Sequence, residues 1–302
     1  MVMRVATFAL SDQMIASSLR LQAVMANEQV QESSGQKSQD FAGYGADSER
    51  VINLQVSVTR SQSYIDAANV ADSKVQVMYS AVGTMTNIVT ELRTQLSAAT
   101  TANSTATTSV INSAQQALSQ MGGLLNTQYD GQYVFGGART DTAPVNLTSF
   151  STGAGSLTTP DTSYYQGDSE IASVRVADNE SVSYGVTADN SAFEQVMRVL
   201  KFVGNSTSLS SSDITQALGL ASNALDAVST VQAKLSTAAS QIETASSNQS
   251  DYQNFAQTLG GDLTNVDVAA VTAQLATYQT QLTASYSAIA KIQSMSLANY
   301  LK

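Results

Sequence analysis

Hydrophobic residues recur along most of this chain at alternating intervals of three and four residues. One unbroken set consists of Val75, Met78, Val82, Met85, Val89, Leu92 and Leu96. A second set consists of Ile214, Leu218, Ala221, Leu225, Val228, Gln232, Leu235, Ala239 and Ile242. This spacing is typical of helices that pack lengthwise against one another, as in a coiled coil. We therefore expect two long helices that share an apolar core.

The two ends of the chain carry the same pattern. Near the N-terminus it passes through Leu10, Met14, Ser17, Leu21 and Val24, which predicts a helix over residues 11–32 that ends at Ser33-Ser34-Gly35. Near the C-terminus it passes through Val268, Val271, Leu275, Tyr278, Leu282, Ser285, Ile289 and Ile292. The pair Gly260-Gly261 interrupts the helical pattern, and residues 264–267 resemble a capping box before the last helix. The sequence therefore predicts, at each end of the chain, a helix with an apolar stripe that must pack against another helix to be buried.

The spacing changes between residues 131 and 190. Tyr133-Val134-Phe135 and the alternating segments 174–176 and 182–186 predict strands, with residues 177–180 as the turn of a hairpin. The only two prolines of the chain, Pro144 and Pro160, also lie here. We interpret this segment as β-strands and loops. Further helices are expected at residues 110–125 and 192–203.

These elements predict a mainly α-helical fold: an elongated helical rod of long coiled-coil-like helices, with a small β-rich insertion and with the N- and C-termini paired at one end. Residues 1–46 and 262–302 would form a terminal helical assembly domain. Residues 47–130 and 191–261 would form the helical rod, and residues 131–190 a β-rich insertion at its tip.

Composition narrows the possible functions. The net charge is −10, only 13% of residues are charged, and no Lys/Arg cluster exists, which argues against a nucleic-acid partner. No run of 18 apolar residues is present, so we expect no membrane insertion. The chain has neither His nor Cys, which removes the usual general bases, nucleophiles and thiolate ligands. We expect no catalytic residue, no cofactor and no metal site.

Four stretches resemble the flagellin superfamily. They are Met3–Phe8 with the following amphipathic helix, the segment Tyr129-Asp130-Gly131-Gln132-Tyr133-Val134-Phe135-Gly136-Gly137, the segment Tyr165-Gln166-Gly167-Asp168, and the C-terminal stretches 278–286 and 295–301. Within the superfamily, their order is similar to that of the hook-associated proteins that join hook to filament. The chain departs from the family at Phe41–Asp47, where an Asp-Asp-Pro or Asp-Asp-Ala run is usual.

The resemblance implies a structural component of the bacterial flagellum. It implies export through the flagellar type III apparatus without a cleaved signal, help from an export chaperone, and assembly outside the cell. The partners would be further copies of the chain and neighbouring axial proteins, namely hook-associated proteins and flagellin. Two alternatives stay open: a filament-forming flagellin, and a needle-tip protein of a type III secretion system.

The assembly interface is expected on the apolar positions of the two terminal helices. An isolated helix of this length is marginally stable in water, and burying a large apolar side chain contributes roughly 1.5–3 kcal/mol. We therefore expect the ends to become ordered on assembly. The predicted interface residues are Leu10, Met14, Leu21, Val24, Val271, Leu275, Tyr278, Leu282, Ile289 and Ile292.

Overall fold

The structure is a computed structural model that describes residues 2–100, 104–150 and 156–294, with the side chains of 11–100, 107–150 and 156–292. Six α-helices and four short strands occur in this part of the chain. The helices are α1 Val2–Ser34, α2 Ser48–Ala99, α3 Ser104–Leu125, α4 Ser191–Asn205, α5 Ser211–Thr264 and α6 Val268–Ser294. The strands are β1 Gln128–Tyr129, β2 Gln132–Tyr133, β3 Ser173–Ala177 and β4 Glu180–Ser183. The predicted mainly α-helical fold is confirmed.

The chain divides into two compact units. Residues Met1–Thr59 and Gln253–Lys302 form one, called here the terminal unit, and residues Arg60–Tyr252 form the other, called the central unit. Both boundaries fall inside the helices α2 and α5.

The core of the central unit lies between the long helices α2 and α5. All seven apolar residues predicted for α2, from Val75 to Leu96, are at most 3% exposed. Ser61 Oγ donates to Gln249 Oε1 at 2.9 Å, and further along α2 a Cβ on Gly83 would lie 3.4 Å from Gln232 Nε2, so the two helices run antiparallel. The hydroxyl group of the buried Ser61 therefore has a hydrogen-bond partner, which avoids the free-energy cost of burying an unpaired polar group.

For α5, the set of apolar residues predicted to face the core (its seam) is only partly correct. Ile214, Ala221, Val228, Leu235 and Ile242 are buried, and the other buried positions of this helix face are Ala217, Ala224, Val231 and Ala238. The predicted residues Leu218, Leu225 and Ala239 are partly buried beside that core, and Gln232 is partly exposed. Small side chains let helices approach closely, so alanine occupies the seam while the larger residues lie at its flank.

Helices α3 and α4 complete the central core by packing against each other. Gln115 Nε2 donates to Gly204 O at 2.7 Å, where a Cβ on Gly204 would lie 3.1 Å from the Gln115 side chain. Helix α4 is buried on nearly all sides, including its charged residues. Arg198 Nε lies 3.0 Å from Glu194 Oε1, and Lys201 Nζ lies 3.8 Å from the ring centre of Phe150.

The segment 131–190 contains the predicted hairpin, in which β3 and β4 pair antiparallel around Asp178-Asn179. The strand predicted at Tyr133-Val134-Phe135 is wrong beyond Tyr133, because Phe135 is buried in the core and packs edge-on against Phe193. The second predicted strand, 182–186, ends at Ser183.

Polar contacts join this segment to α2. Arg60 Nη1 and Tyr64 Oη contact the carboxylate of Asp178 at 3.0 and 2.8 Å, and Lys74 Nζ lies 3.2 Å from Gln132 Oε1. The segment therefore packs beside the N-terminal half of the long helix α2. Its placement at the tip of a rod stays a prediction.

In the terminal unit, α1 ends at Ser34 as predicted, but begins at Val2 rather than at residue 11. Residues Phe41–Asp47, where the sequence departs from the family pattern, form a 3-10 helix interrupted at Gly45. Gly260 and Gly261 do not break the helix, because α5 continues to Thr264. The predicted capping box is wrong as well: Asp267 alone caps α6, accepting from the amides of Ala269 and Ala270 at 3.0 and 3.2 Å.

Candidate assembly surface

The terminal helices α1 and α6 pack against each other. Two polar contacts show that they run antiparallel. Thr272 Oγ1 donates to Glu32 Oε1 at 2.8 Å, and Gln22 Nε2 donates to the hydroxyl of Tyr286. The predicted pairing of the two chain ends is thereby confirmed. The apolar stripe of each end thus has a partner within the same chain.

The predicted residues of α6 become less buried along the helix. Val271 and Leu275 are each 4% exposed. Tyr278, Leu282, Ile289 and Ile292 are half-buried. The first residue of the pattern, Val268, is 44% exposed. One helix partner therefore covers these residues only in part.

The predicted residues of α1 divide in a similar way. Met14 and Leu21 are half-buried, whereas Val24 is 41% exposed. Ser18, which is 4% exposed, and the half-buried Met25 take the positions that the sequence analysis gave to Ser17 and Val24. The side chain of Leu10 lies outside the described residues.

A second apolar stripe of α1 escaped the sequence analysis. Ile15, Leu19 and Val30 are 41%, 61% and 43% exposed. At 100° per residue they fall within about 60° of one another, on a side of the helix well away from the less exposed positions 14, 18, 21 and 25. The sequence does contain a signal for this stripe, because these large apolar residues lie outside the set that was assigned to the helix contact.

Exposed hydrophobic residues are concentrated in the terminal unit. Ten of the 14 large hydrophobic residues that are exposed in the described part of the chain belong to it. Of the 47 hydrophobic residues that are buried there, only Val51, Ala256, Val271 and Leu275 belong to this unit. Monomeric proteins bury such residues where they can, and a contiguous apolar surface commonly marks an interaction site.

The turn after α1 and the turn after α5 are joined by hydrogen bonds. Val266 N donates to Gly35 O at 2.9 Å, and Lys37 N donates to Thr264 O at 2.8 Å. Lys37 Nζ donates to the carbonyls of Asp262 and Leu263 at 3.2 and 2.8 Å. Because the end of a helix has unpaired carbonyls and a partial negative charge, this ammonium group caps α5 favourably. The Lys37 cap and the two backbone bonds position α1 and α6 together.

The described residues contain no group of three or more acidic, His or Cys side chains placed to hold a metal ion. None of the described helices is both long enough and apolar enough to cross a membrane.

Comparison with protein families identifies both ends of the chain. The sequence model of the bacterial flagellin N-terminal helical region matches residues 5–140, and that of the bacterial flagellin C-terminal helical region matches residues 218–301. Together they match more than two thirds of the chain. The chain belongs to the flagellin family. In this flagellin-family chain the first matched region contains α1 except for its first three residues, and the second contains all of α6. A search of curated proteins finds no match.

Solved structures share the fold. A protein of Vibrio parahaemolyticus assigned as flagellar hook-associated aligns with a TM-score of 0.59 at 14% identity, over 72% of this chain and 97% of that one. Flagellar hook-associated protein 3 of Legionella pneumophila aligns with a TM-score of 0.58 at 15% identity, over 70% and 98%. The flagellar junction protein FlgL of the same organism aligns with a TM-score of 0.53 at 14% identity, over 70% and 98%.

Proposed function

We propose that the chain is a structural subunit of the bacterial flagellum that joins hook to filament. The observation that carries this proposal is the apolar surface of the terminal unit, in a chain of the flagellin family whose fold is shared with hook-associated and junction proteins. The role is assembly rather than catalysis. A filament-forming flagellin is the second candidate, and the flagellin family match favours it. Nothing in the comparisons favours a needle-tip protein.

Immunogold labelling of intact flagella separates the two candidates. An antibody against the central unit should label a single band beside the hook if the chain is a junction subunit. Label along the whole filament would identify it as a flagellin instead. Absence of label from flagella would overturn both.

We propose that the terminal unit makes the contacts between subunits. The residues predicted from the sequence would form the α1–α6 pair and part of its contact surface. They are Leu10, Met14, Leu21, Val24, Val271, Leu275, Tyr278, Leu282, Ile289 and Ile292. The exposed stripe of Ile15, Leu19 and Val30 extends this surface. A neighbouring subunit that covers these residues would complete the burial that one partner helix leaves partial.

The variant Leu19→Asp tests this surface directly. Leu19 is 61% exposed, so a carboxylate there should leave the melting temperature of the isolated chain unchanged, but it would be costly in an apolar interface. Cells that carry Leu19→Asp should secrete flagellin into the medium and swim poorly. The matched control is Val70→Asp on α2 of the central unit, where Val70 is 52% exposed. Normal filaments in Leu19→Asp cells would show that this stripe is not a subunit contact.

The proposed route to the flagellum is type III export, with an export chaperone as a transient partner. Secretion should then stop in a strain that lacks the flagellar export gate. Sequencing of the chain recovered from flagella should find the residues before Leu10 intact. Cleavage within the first helix, or normal secretion without the gate, would contradict this route.

A further inference from the structure

Helix α4 buries three charged side chains in the central unit. Glu194, Arg198 and Lys201 are 3%, 9% and 7% exposed. They are four and three residues apart, so they lie on one side of the helix. Burying a charged group is costly unless it is paired and hydrogen-bonded, and a helix that only filled a core would carry apolar residues at these positions. The charged side therefore has a partner that apolar side chains could not satisfy.

That partner is the backbone of an irregular segment, residues 156–163, called here the strap. The strap contains no helix and no strand, so regular structure does not pair its backbone groups. Arg198 Nη1 donates to Leu157 O at 2.7 Å, and Asp161 N donates to Glu194 Oε1 at 2.9 Å. The three residues between these two anchors are exposed. The strap is thus held to α4 at two points by two charged side chains.

The two anchoring side chains also hold each other. Arg198 Nη2 donates to Glu194 Oε2 at 3.2 Å, and Arg198 Nε lies 3.0 Å from Glu194 Oε1 without forming a hydrogen bond. One carboxylate oxygen and one guanidinium nitrogen are thereby used within the pair, and another of each is used for the strap. Removing either residue would leave the other charge buried and displace both anchors.

The end of the strap is fixed in a different way. Tyr164 is fully buried, its hydroxyl donates to Ala188 O at 3.0 Å, and its ring packs edge-on against Phe150 with ring centres 5.0 Å apart. Lys201 Nζ in turn lies 3.8 Å from the ring centre of Phe150. Because a buried aromatic side chain fixes the chain at residue 164, loss of the two anchors would free only the strap.

We propose that the Glu194–Arg198 pair is a clasp that holds the strap in one conformation, and that the strap opens locally when the clasp is removed while the rest of the central unit stays folded. A buried ion pair contributes little to stability compared with apolar side chains of similar size, so its effect is on conformation. The proposal concerns the central unit and does not depend on the proposed function.

Replacing the whole pair separates these two effects. In Glu194→Leu/Arg198→Met, apolar side chains fill the space of the pair but can bind neither Leu157 O nor Asp161 N. The urea midpoint of the purified full-length chain should stay the same or rise. Hydrogen exchange in the strap should become faster by about 100-fold, as expected for the loss of two hydrogen bonds to charged groups. Exchange in residues 75–96 of α2 should not change.

The matched control removes an exposed ion pair. Arg50 Nη1 lies 3.1 Å from Asp47 Oδ1, and the two side chains are 59% and 47% exposed. Asp47→Leu/Arg50→Met should leave exchange in the strap as it is in the unmodified chain. Unchanged exchange of the strap in Glu194→Leu/Arg198→Met would overturn the proposal. Equal acceleration in the strap and in residues 75–96 would also overturn it, because the pair would then support the whole core.

A variant that keeps the positive charge provides a second test. Arg198→Lys retains a cation beside Glu194, but a single ammonium group lacks the fork of donors with which the guanidinium group reaches Leu157 O as well. Exchange in the strap should become faster by about tenfold, as expected for the loss of one hydrogen bond, again without a change in α2. Exchange in the strap like that of the unmodified chain would contradict the role of Arg198 as an anchor.

Discussion

The two units of this chain differ in how completely they bury their hydrophobic residues. The central unit buries the seam of α2 almost completely, from Val75 to Leu96, between α5 and the β segment. The terminal unit pairs α1 with α6 and leaves Ile15, Leu19 and Val30 in solvent. The helices of both units show the same spacing of three and four residues. A seam with several partners makes a stable fold, whereas a seam with one partner leaves a surface for assembly.

The largest expected effect comes from the core of the central unit. Val228 on α5 is fully buried, and Val228→Asp would place an unpaired carboxylate there. We expect the free energy of unfolding to fall by roughly 3–5 kcal/mol, measured by urea unfolding with circular dichroism. Val70→Asp, on the exposed side of α2, should change it by no more than about 0.5 kcal/mol. Equal stability of the two variants would show that the central seam is not the core.

The next effect should be confined to the terminal unit. Leu282 is half-buried on α6, so Leu282→Asp should weaken the α1–α6 pair by about 1–2 kcal/mol. Hydrogen exchange should become faster in α1 and α6 and remain unchanged in the central unit. Thr283→Asp is the control, because Thr283 is exposed on the next position of the same helix. Full protection of α1 and α6 in monomeric Leu282→Asp would contradict the role of this seam.

A smaller effect is expected at the turn after α1. Gly35 has a φ of 69°, and a Cβ there would meet no atom within 4 Å, so a substitution would strain the backbone without a steric clash. Gly35→Ala should destabilise the terminal unit by about 1 kcal/mol, and Gly35→Asn by less, because asparagine tolerates this conformation better. The rate of limited proteolysis between residues 35 and 47 would measure both changes. Equal rates for all three chains would show that this turn contributes nothing to the unit.

The smallest effect should be a pH dependence in the β segment. Asp168 Oδ1 accepts from Ala138 N at 2.9 Å and from Glu170 N at 3.0 Å, and these bonds lower the pKa of the carboxyl group. A lowered pKa contributes stability above the unfolded value of about 4, and this contribution disappears as the pH falls through the folded value. Asp168→Asn should therefore be less stable than the unmodified chain at pH 7. The urea midpoints of the two chains should approach each other as the pH falls below about 4, and a constant difference would contradict this assignment.

The sequence was informative where periodicity and burial coincide. The spacing of Val75 to Leu96 predicted a buried helix face, and every one of those residues is buried. The α5 seam was harder to predict, because alanines at 217, 224 and 238 compete with larger neighbours such as Leu218 and Leu225. A rule that favours the largest apolar residue selects the flank of such a helix, although close packing favours the smallest. The capping box failed for a similar local reason, since Thr264 still belongs to the helix before the turn.

In the candidate assembly surface, too, some features could be predicted from residue spacing and others depended on the tertiary structure. The positions of α6 from Val271 to Ile292 were predicted from spacing, but their use within the chain depends on α1. The free stripe of Ile15 and Leu19 became visible only when the structure showed which side of α1 faces α6. The course of α5 near its end could not be predicted, because Gly260-Gly261 in a sequence indicates a break, and here the helix continues through both glycines.

By itself, the sequence determined the helical periods, the position of the β segment in the chain, the acidic and His- and Cys-free composition, and the family. These are local or additive properties, which residue type and spacing specify directly. The tertiary structure decided which residue of each helix turn enters the core, which stripe of α1 remains exposed, and where the β segment packs. Those outcomes depend on partners that are distant in the chain: Asp178 in the hairpin turn binds Arg60 and Tyr64 of α2, and α6 covers only one side of α1.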